Sequence, residues 1–199
     1  FRYAYEPIIF ASRESSREDN LSVGTKYFVL LSLLAWLAVM VYMPLLRYFI
    51  QPGYWEGLKV VPIVMAAEIF MGVYFNLSFW YKLTDKTWWG AFLSAVGAGV
   101  MIAVNVIFVP KIGYMACAWG GFGGYLVAML LSFFIGRRYY PIKYDLNVMG
   151  SFTLLAVIFY LIYMQVERWQ FSRWISLSIG TVFVITFIYF IYREIRKEK

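Results

Sequence analysis

The chain has 199 residues, 62% of them from the set AVILMFWYC and only 15% charged, with a mean hydropathy of +0.67; soluble domains are nearer half apolar. This excludes an ordinary soluble domain, and at roughly 20 residues per spanning helix plus a connection there is room for six or seven spans. With no His and a single Cys, Cys117, disulfide frameworks, Cys/His metal clusters, Cys-His dyads and Ser-His-Asp triads are excluded as well.

Residues 1–11 are apolar but too short to cross a bilayer. The chain opens on Phe1, with no basic, short-apolar, small-residue leader, so this stretch reads as the tail of a helix that began earlier. Arg2 and Glu6 lie four apart on one helix face, and Pro7 after them predicts a distorted, polar segment. Arg2 can hold an anionic headgroup through its planar fork of donors or simply pair with an acid. Residues 12–26, with Arg13, Arg17 and Lys26, form a charged linker.

Six uncharged or nearly uncharged runs follow: 27–50, 58–81, 88–109, 112–135, 148–166 and 174–192. At 1.5 Å per residue they are about 28 to 36 Å long, enough to cross the hydrocarbon layer with some tilt. They are continuous, where strands of a barrel would alternate, so helices are predicted. Gln51-Pro52-Gly53 marks a turn, residues 82–87 a polar connection, Pro110-Lys111 a tight reversal, 136–147 a basic loop and 167–173 the last hairpin. A basic tail, 193–199, closes the chain. Loops this short predict antiparallel neighbours. The expected fold is therefore an all-α integral membrane protein, a polytopic bundle made of the end of one helix and six spanning helices.

Alternate connections are unequally basic. Twelve Lys and Arg residues gather on the side of the 12–26 linker and the tail, and five on the other; Arg2 completes the 18. The richer side is expected to be cytoplasmic. Membrane lipid accounts for the net charge of +7 better than nucleic acid does, because most of the charges flank apolar runs. Trp88, Trp89, Trp169 and Trp174, near predicted ends, fit interfacial anchors.

An ionisable residue at mid-membrane costs about 2.5 to 3.5 kcal/mol on insertion scales and needs a partner or a watery cavity. Glu68, near the middle of 58–81, is the clearest case. It reads either as a protonatable or ion-binding carboxylate in a transport cavity or as a structural carboxylate bonded to a neighbouring helix. Asn76 and Ser78 on the same run and Asn105 on the next are weaker candidates, since buried amides often stitch helices together. Gly97, Gly99, Gly113, Gly120, Gly121, Gly123 and Gly124 read mainly as close-packing positions, and Gly120 to Gly124 lacks the Lys-Ser/Thr ending of a phosphate loop.

Two stretches carry a resemblance. Asn105-Val-Ile-Phe-Val-Pro110-Lys111-Ile-Gly113-Tyr-Met-Ala116-Cys117-Ala118 resembles the hairpin motif of the polysaccharide-biosynthesis branch of the multidrug/oligosaccharidyl-lipid/polysaccharide exporter superfamily. Pro110 is expected to stop one helix and Gly113 to start the next without bulk. The match departs from the pattern at Ala116 and Cys117 and at Gly120-Gly121, each a small-for-small exchange. Tyr74-Phe-Asn76-Leu-Ser78-Phe-Trp80-Tyr81-Lys82-Leu-Thr84-Asp85-Lys86-Thr87 is similar to the end of the preceding helix in lipid-linked oligosaccharide flippases, and residues 1–7 with the linker resemble a further helix and loop of that family.

The resemblance implies half of a two-bundle transporter: 27–135 as four helices of the C-terminal transport bundle, 148–192 as two appended helices, and the N-terminal half of the protein as a missing partner. It implies alternating access that carries an undecaprenyl-diphosphate-linked oligosaccharide across the bacterial inner membrane, with no bond made or broken and no cofactor beyond a coupling H+ or Na+. Arg2, Glu6, Glu68, Asn76 and Asn105 are then candidates for substrate binding or ion coupling, and Tyr74, Trp80 and Tyr81 for stacking on sugars. The alternatives are a drug or cation antiporter of the same superfamily, a membrane enzyme of envelope polysaccharide assembly, and a purely structural subunit. The extracytoplasmic loops, only a few residues long, argue against the enzyme.

Overall fold

Apolar side chains all round a run of some twenty residues leave the backbone only one way to satisfy its N–H and C=O groups in lipid, which is to bond them within the run. A computed structural model of the chain, describing residues 7, 9–11, 14–169 and 172–197, is helical accordingly, with no strand among the described residues. The helices are α1 (Glu14–Leu46), α2 (Val61–Leu77), α3 (Phe79–Leu83), α4 (Trp88–Ile112), α5 (Met115–Tyr139), α6 (Leu146–Arg168) and α7 (Arg173–Lys197), with 3-10 turns at Arg47–Phe49 and Pro52–Val60. Six helical stretches are long and apolar enough to cross a membrane. The protein is an all-α, multi-pass membrane bundle.

The structure corrects several expected boundaries. The stretch 12–26 is not an extended linker: from Glu14 it is the first part of α1. It contains no proline, and it has something to pack on, since Leu21 is buried in a cluster with Ile9, Phe79 and Ile142. Pro110 does not stop α4, which continues to Ile112. A proline forfeits one bond to the preceding turn, a small loss three residues from a helix end. The stop is Gly113, at φ 58° and ψ −141°, with its N–H on the Val109 carbonyl. Few side chains tolerate that conformation, so Gly113 ends one helix instead of starting the next. The tail is helical as far as Lys197. The second span enters through the 3-10 turn at Pro52–Val60, and Ser78, whose hydroxyl bonds the Phe75 carbonyl at 2.6 Å, separates α2 from α3.

The chain forms two compact units, Phe1–Val29 with Val60–Asp145, and Leu30–Lys59 with Leu146–Lys199. In the first, α5 packs against both α2 and α4. Its contact stripe is Ala116, Gly120, Gly124, Ala128, Ser132 and Gly136, all buried. Each four-residue step turns about 40° past a full revolution, so the stripe winds around α5. It meets Gly97 of α4 at Gly124, and Trp80 of α3 at Gly136. Small residues at such positions let backbones approach where lipid supplies no hydrophobic drive between helices.

The second unit is built on aromatic contacts: Trp36 edge-on to Tyr160 with centroids 5.0 Å apart, Phe159 stacked on Phe183 at 5.0 Å, and Phe152 edge-on to Phe187 at 5.7 Å. Gly180 makes room for Val41 and Tyr163. The Tyr163 hydroxyl donates to the Val41 carbonyl at 3.0 Å, and Tyr42 pairs with Thr181 at 3.1 Å.

Candidate functional site

Glu68 lies on α2 within the span Pro52–Leu83. Its neighbour Ala67 is buried, but Glu68 itself is exposed and makes no hydrogen bond or ion pair among the described residues. One turn further along, Gly72 faces the Phe28 ring of α1, so the helix face that carries Glu68 is covered at Gly72 and open at the carboxylate. A bare carboxylate against lipid is costly. The position is stable only if water, a cation, a substrate or another helix meets it.

The two asparagines are pressed into the same unit. Asn76 is 5% exposed, with its Nδ2 buried and unpaired among the described residues. Asn105 lies flat on α5: a Cβ added to Gly120 would come within 2.6 Å of its Oδ1, which is also buried without a partner. Among the described residues these atoms make no hydrogen bond that would stitch helices together. Each leaves an uncompensated polar atom, which costs about 1 to 3 kcal/mol.

The three proposed sugar-stacking rings are occupied otherwise. Tyr74, Trp80 and Tyr81 are 6%, 2% and 8% exposed and share a core with Leu93 and Ala128. Tyr74 ties α2 to α4 through hydrogen bonds to Ser94 Oγ at 3.1 Å and the Gly90 carbonyl at 3.3 Å. Trp80 stacks flat on Tyr139, centroids 5.5 Å apart and planes 4° from parallel, and its Nε1 donates to Ser132 Oγ at 3.1 Å. The Tyr81 ring lies against Gly90. Stacking on a sugar needs an open ring face, and here those faces are spent on packing. Aromaticity in a sequence reports such surface without saying which way it turns.

Arg2 and Glu6 lie outside the described residues. What the sequence reading missed is Lys26. It is 1% exposed at the end of the charged run, and its ammonium donates to Asp145 Oδ2 at 3.1 Å. Ser22 Oγ donates to the Lys143 carbonyl at 2.7 Å one turn earlier, and Ile142 is buried beside Leu21. Together they strap the 140–145 loop to α1. The sign in the sequence was a Lys at the threshold of an apolar run, facing an Asp at the threshold of another.

At the same end of the unit, Lys86 sits 3.9 Å above the Tyr139 ring and Arg137 lies 5.6 Å from that of Phe133. Exposed Trp88 stacks on Trp89 at 4.4 Å. Such a basic and aromatic collar suits a headgroup layer.

No protein-family model, curated protein or solved structure matches the chain.

Proposed function

We propose that the chain is the C-terminal half of a flippase that carries an undecaprenyl-diphosphate-linked oligosaccharide across the bacterial inner membrane by alternating access, for surface polysaccharide biosynthesis. The observation that carries this reading is Glu68, an exposed carboxylate without a partner among the described residues, inside an apolar span. Carrying a sugar and diphosphate headgroup through hydrocarbon requires a polar, watery path, and a carboxylate left open at depth is the kind of group that lines one. Its role is to balance the charge of Arg2, which attracts the diphosphate, or to couple movement to H+ or Na+. Glu6 shares that role.

The missing wall of the cavity belongs to the N-terminal half of the same protein. The excess of Lys and Arg around residues 12–26 and at the tail supports a cytoplasmic position for both. The close-packed α4–α5 hairpin supports the family resemblance carried by Asn105, Pro110 and Gly113. No chemistry on the substrate is required.

Complementation by the full-length protein tests the assignment. Arg2→Ala and Glu68→Gln are expected to impair surface polysaccharide at normal protein levels; normal polysaccharide in both would remove the assigned roles. The same carboxylate also favours a second reading, export of a cationic drug by a related antiporter. Binding of organic cations to the purified full-length protein, lost in Glu68→Gln, would select it over lipid-linked sugar.

A further inference from the structure

The end of the first unit where α3 and α5 finish and α4 begins carries more cations than it pairs. Residues 82–86 and 137–145 hold Lys82, Lys86, Arg137, Arg138 and Lys143 against two carboxylates, Asp85 and Asp145. Asp145 already holds Lys26. Lys86, Arg137 and Arg138 make no ion pair among the described residues.

Two of these cations are anchored on rings. Lys86 Nζ lies 3.9 Å from the centroid of Tyr139, which stacks flat on Trp80 at 5.5 Å. Arg137 lies 5.6 Å from the Phe133 ring and lines one cleft with Trp80, Ser132, Tyr140 and Tyr144. Trp80 is itself tied to Ser132 Oγ. A ring beneath a cation steers it, while the N–H groups that point away from the ring stay available to an anion.

These anchors stand at the edge of the hydrocarbon. Lys86 falls between the spans Pro52–Leu83 and Trp88–Ile112, and Arg137 in the last turn of the span Met115–Tyr139. From there toward mid-span the surface is apolar and open. Leu130 and Phe134, at four-residue steps before Arg138, are 40% and 64% exposed, and on α4 Trp88 and Phe92 are 59% and 47% exposed. The anion that suits such a surface carries its charge at one end and a long apolar tail at the other.

We infer that this end of the first unit is a docking surface for anionic phospholipid, with headgroup phosphate taken by Lys86 at Tyr139 and by Arg137 at the cleft, and acyl chains laid on the open apolar side chains beside them. Basic positions at the cytoplasmic ends of spanning helices attract anionic headgroups in this way, and a guanidinium offers phosphate two parallel donors. Each cation acts on its own anchor, so their contributions are expected to multiply. The selectivity is independent of what the protein carries.

The test is native mass spectrometry of the purified full-length protein, released from detergent containing equal amounts of phosphatidylglycerol and phosphatidylcholine with identical acyl chains and read on the first lipid bound. Phosphatidylglycerol is expected to be retained over phosphatidylcholine by about twenty-five-fold, from about fivefold for each cation near the membrane surface. Lys86→Gln and Arg137→Gln should each lower the ratio about fivefold, and the double variant should bring it to near one. Arg196→Gln, which removes an exposed cation of the tail, should leave it unchanged. The ratio is internal to each sample, so it reads selectivity even if a variant is less stable. Glycerol phosphate without acyl chains, added at the same concentration, should not displace the lipid. Equal retention of the two lipids by the unaltered protein overturns the proposal, as does a ratio that survives the double variant. A loss in Arg196→Gln as large as in Lys86→Gln would mean diffuse attraction instead of a site, and displacement by glycerol phosphate would assign the cations to a soluble anion; either result also overturns it.

Discussion

Gly97 and Gly124 face each other across the α4–α5 contact so closely that a Cβ on Gly124 would stand 2.7 Å from the Gly97 carbonyl oxygen. The obstacle is backbone, which cannot rotate away. Gly124→Ala is therefore expected to lower the thermal stability of the purified protein, at a cost of about 1 to 3 kcal/mol for overpacking. Gly99→Ala, on α4 two residues from Gly97 with nothing within 4 Å of the new methyl, is expected to be neutral or slightly stabilising, because alanine is the better helix former by about 1 kcal/mol. Parallel melting curves in one detergent check the contrast. Equal destabilisation by both would show that the close approach does not matter.

The two punctuating residues of the hairpin have different roles. Gly113→Ala places a side chain at φ 58° and ψ −141°, a region costing about 1 to 3 kcal/mol for residues with a Cβ, and should visibly lower the melting temperature. Pro110→Ala restores an N–H inside the last turns of α4 and should do no harm. If Pro110→Ala is the damaging change, the proline terminates the helix after all.

The Lys26–Asp145 pair makes an asymmetric prediction. Removing the partner of a buried charge is worse than removing the charge with its shape preserved. Asp145→Ala is expected to cost about 1 to 3 kcal/mol, below the range for fully buried pairs, because the Asp145 side chain is 56% exposed while that of Lys26 is 2%. Lys26→Met should cost less. Thermal melts of the two variants decide the order, and a more harmful Lys26→Met would mean that the ammonium's other contacts outweigh the ion pair.

These cases show what the sequence could express. Six spans were legible because a continuous apolar run of about twenty residues has few other fates in water or lipid. Helix ends were not, because hydropathy marks where a helix leaves the hydrocarbon and not where it stops being a helix. Glu14 to Lys26 is charged yet helical, held by Leu21, Ser22 and Lys26 against residues more than a hundred positions away. The small residues of the hairpin were legible as close-packing positions at Gly97, Gly120 and Gly124, where neighbours crowd the missing Cβ, but not at Gly99, which faces open space.

The candidate site was half legible. Glu68 stood out because a carboxylate among apolar neighbours is rare and costly. Tyr74, Trp80 and Tyr81 misled because an aromatic residue near a helix end serves a core and a binding surface equally well, and only the placement of Ser132, Gly136 and Tyr139 decides between them.

The most direct test of the central claim is the water accessibility of position 68 in the full-length protein. Cys117, the single Cys of this sequence and exposed, is first replaced by Ser, together with any cysteine of the N-terminal half. Glu68→Cys is then compared with Ile102→Cys, a position 62% exposed in the middle of α4, in native membranes treated with a charged, membrane-impermeant thiol reagent. A transport cavity lined by Glu68 predicts labelling at 68 and none at 102, an exposed apolar position in mid-span. No labelling at 68, or equal labelling at both, would contradict a polar path along α2 and with it the proposed transport of a lipid-linked oligosaccharide.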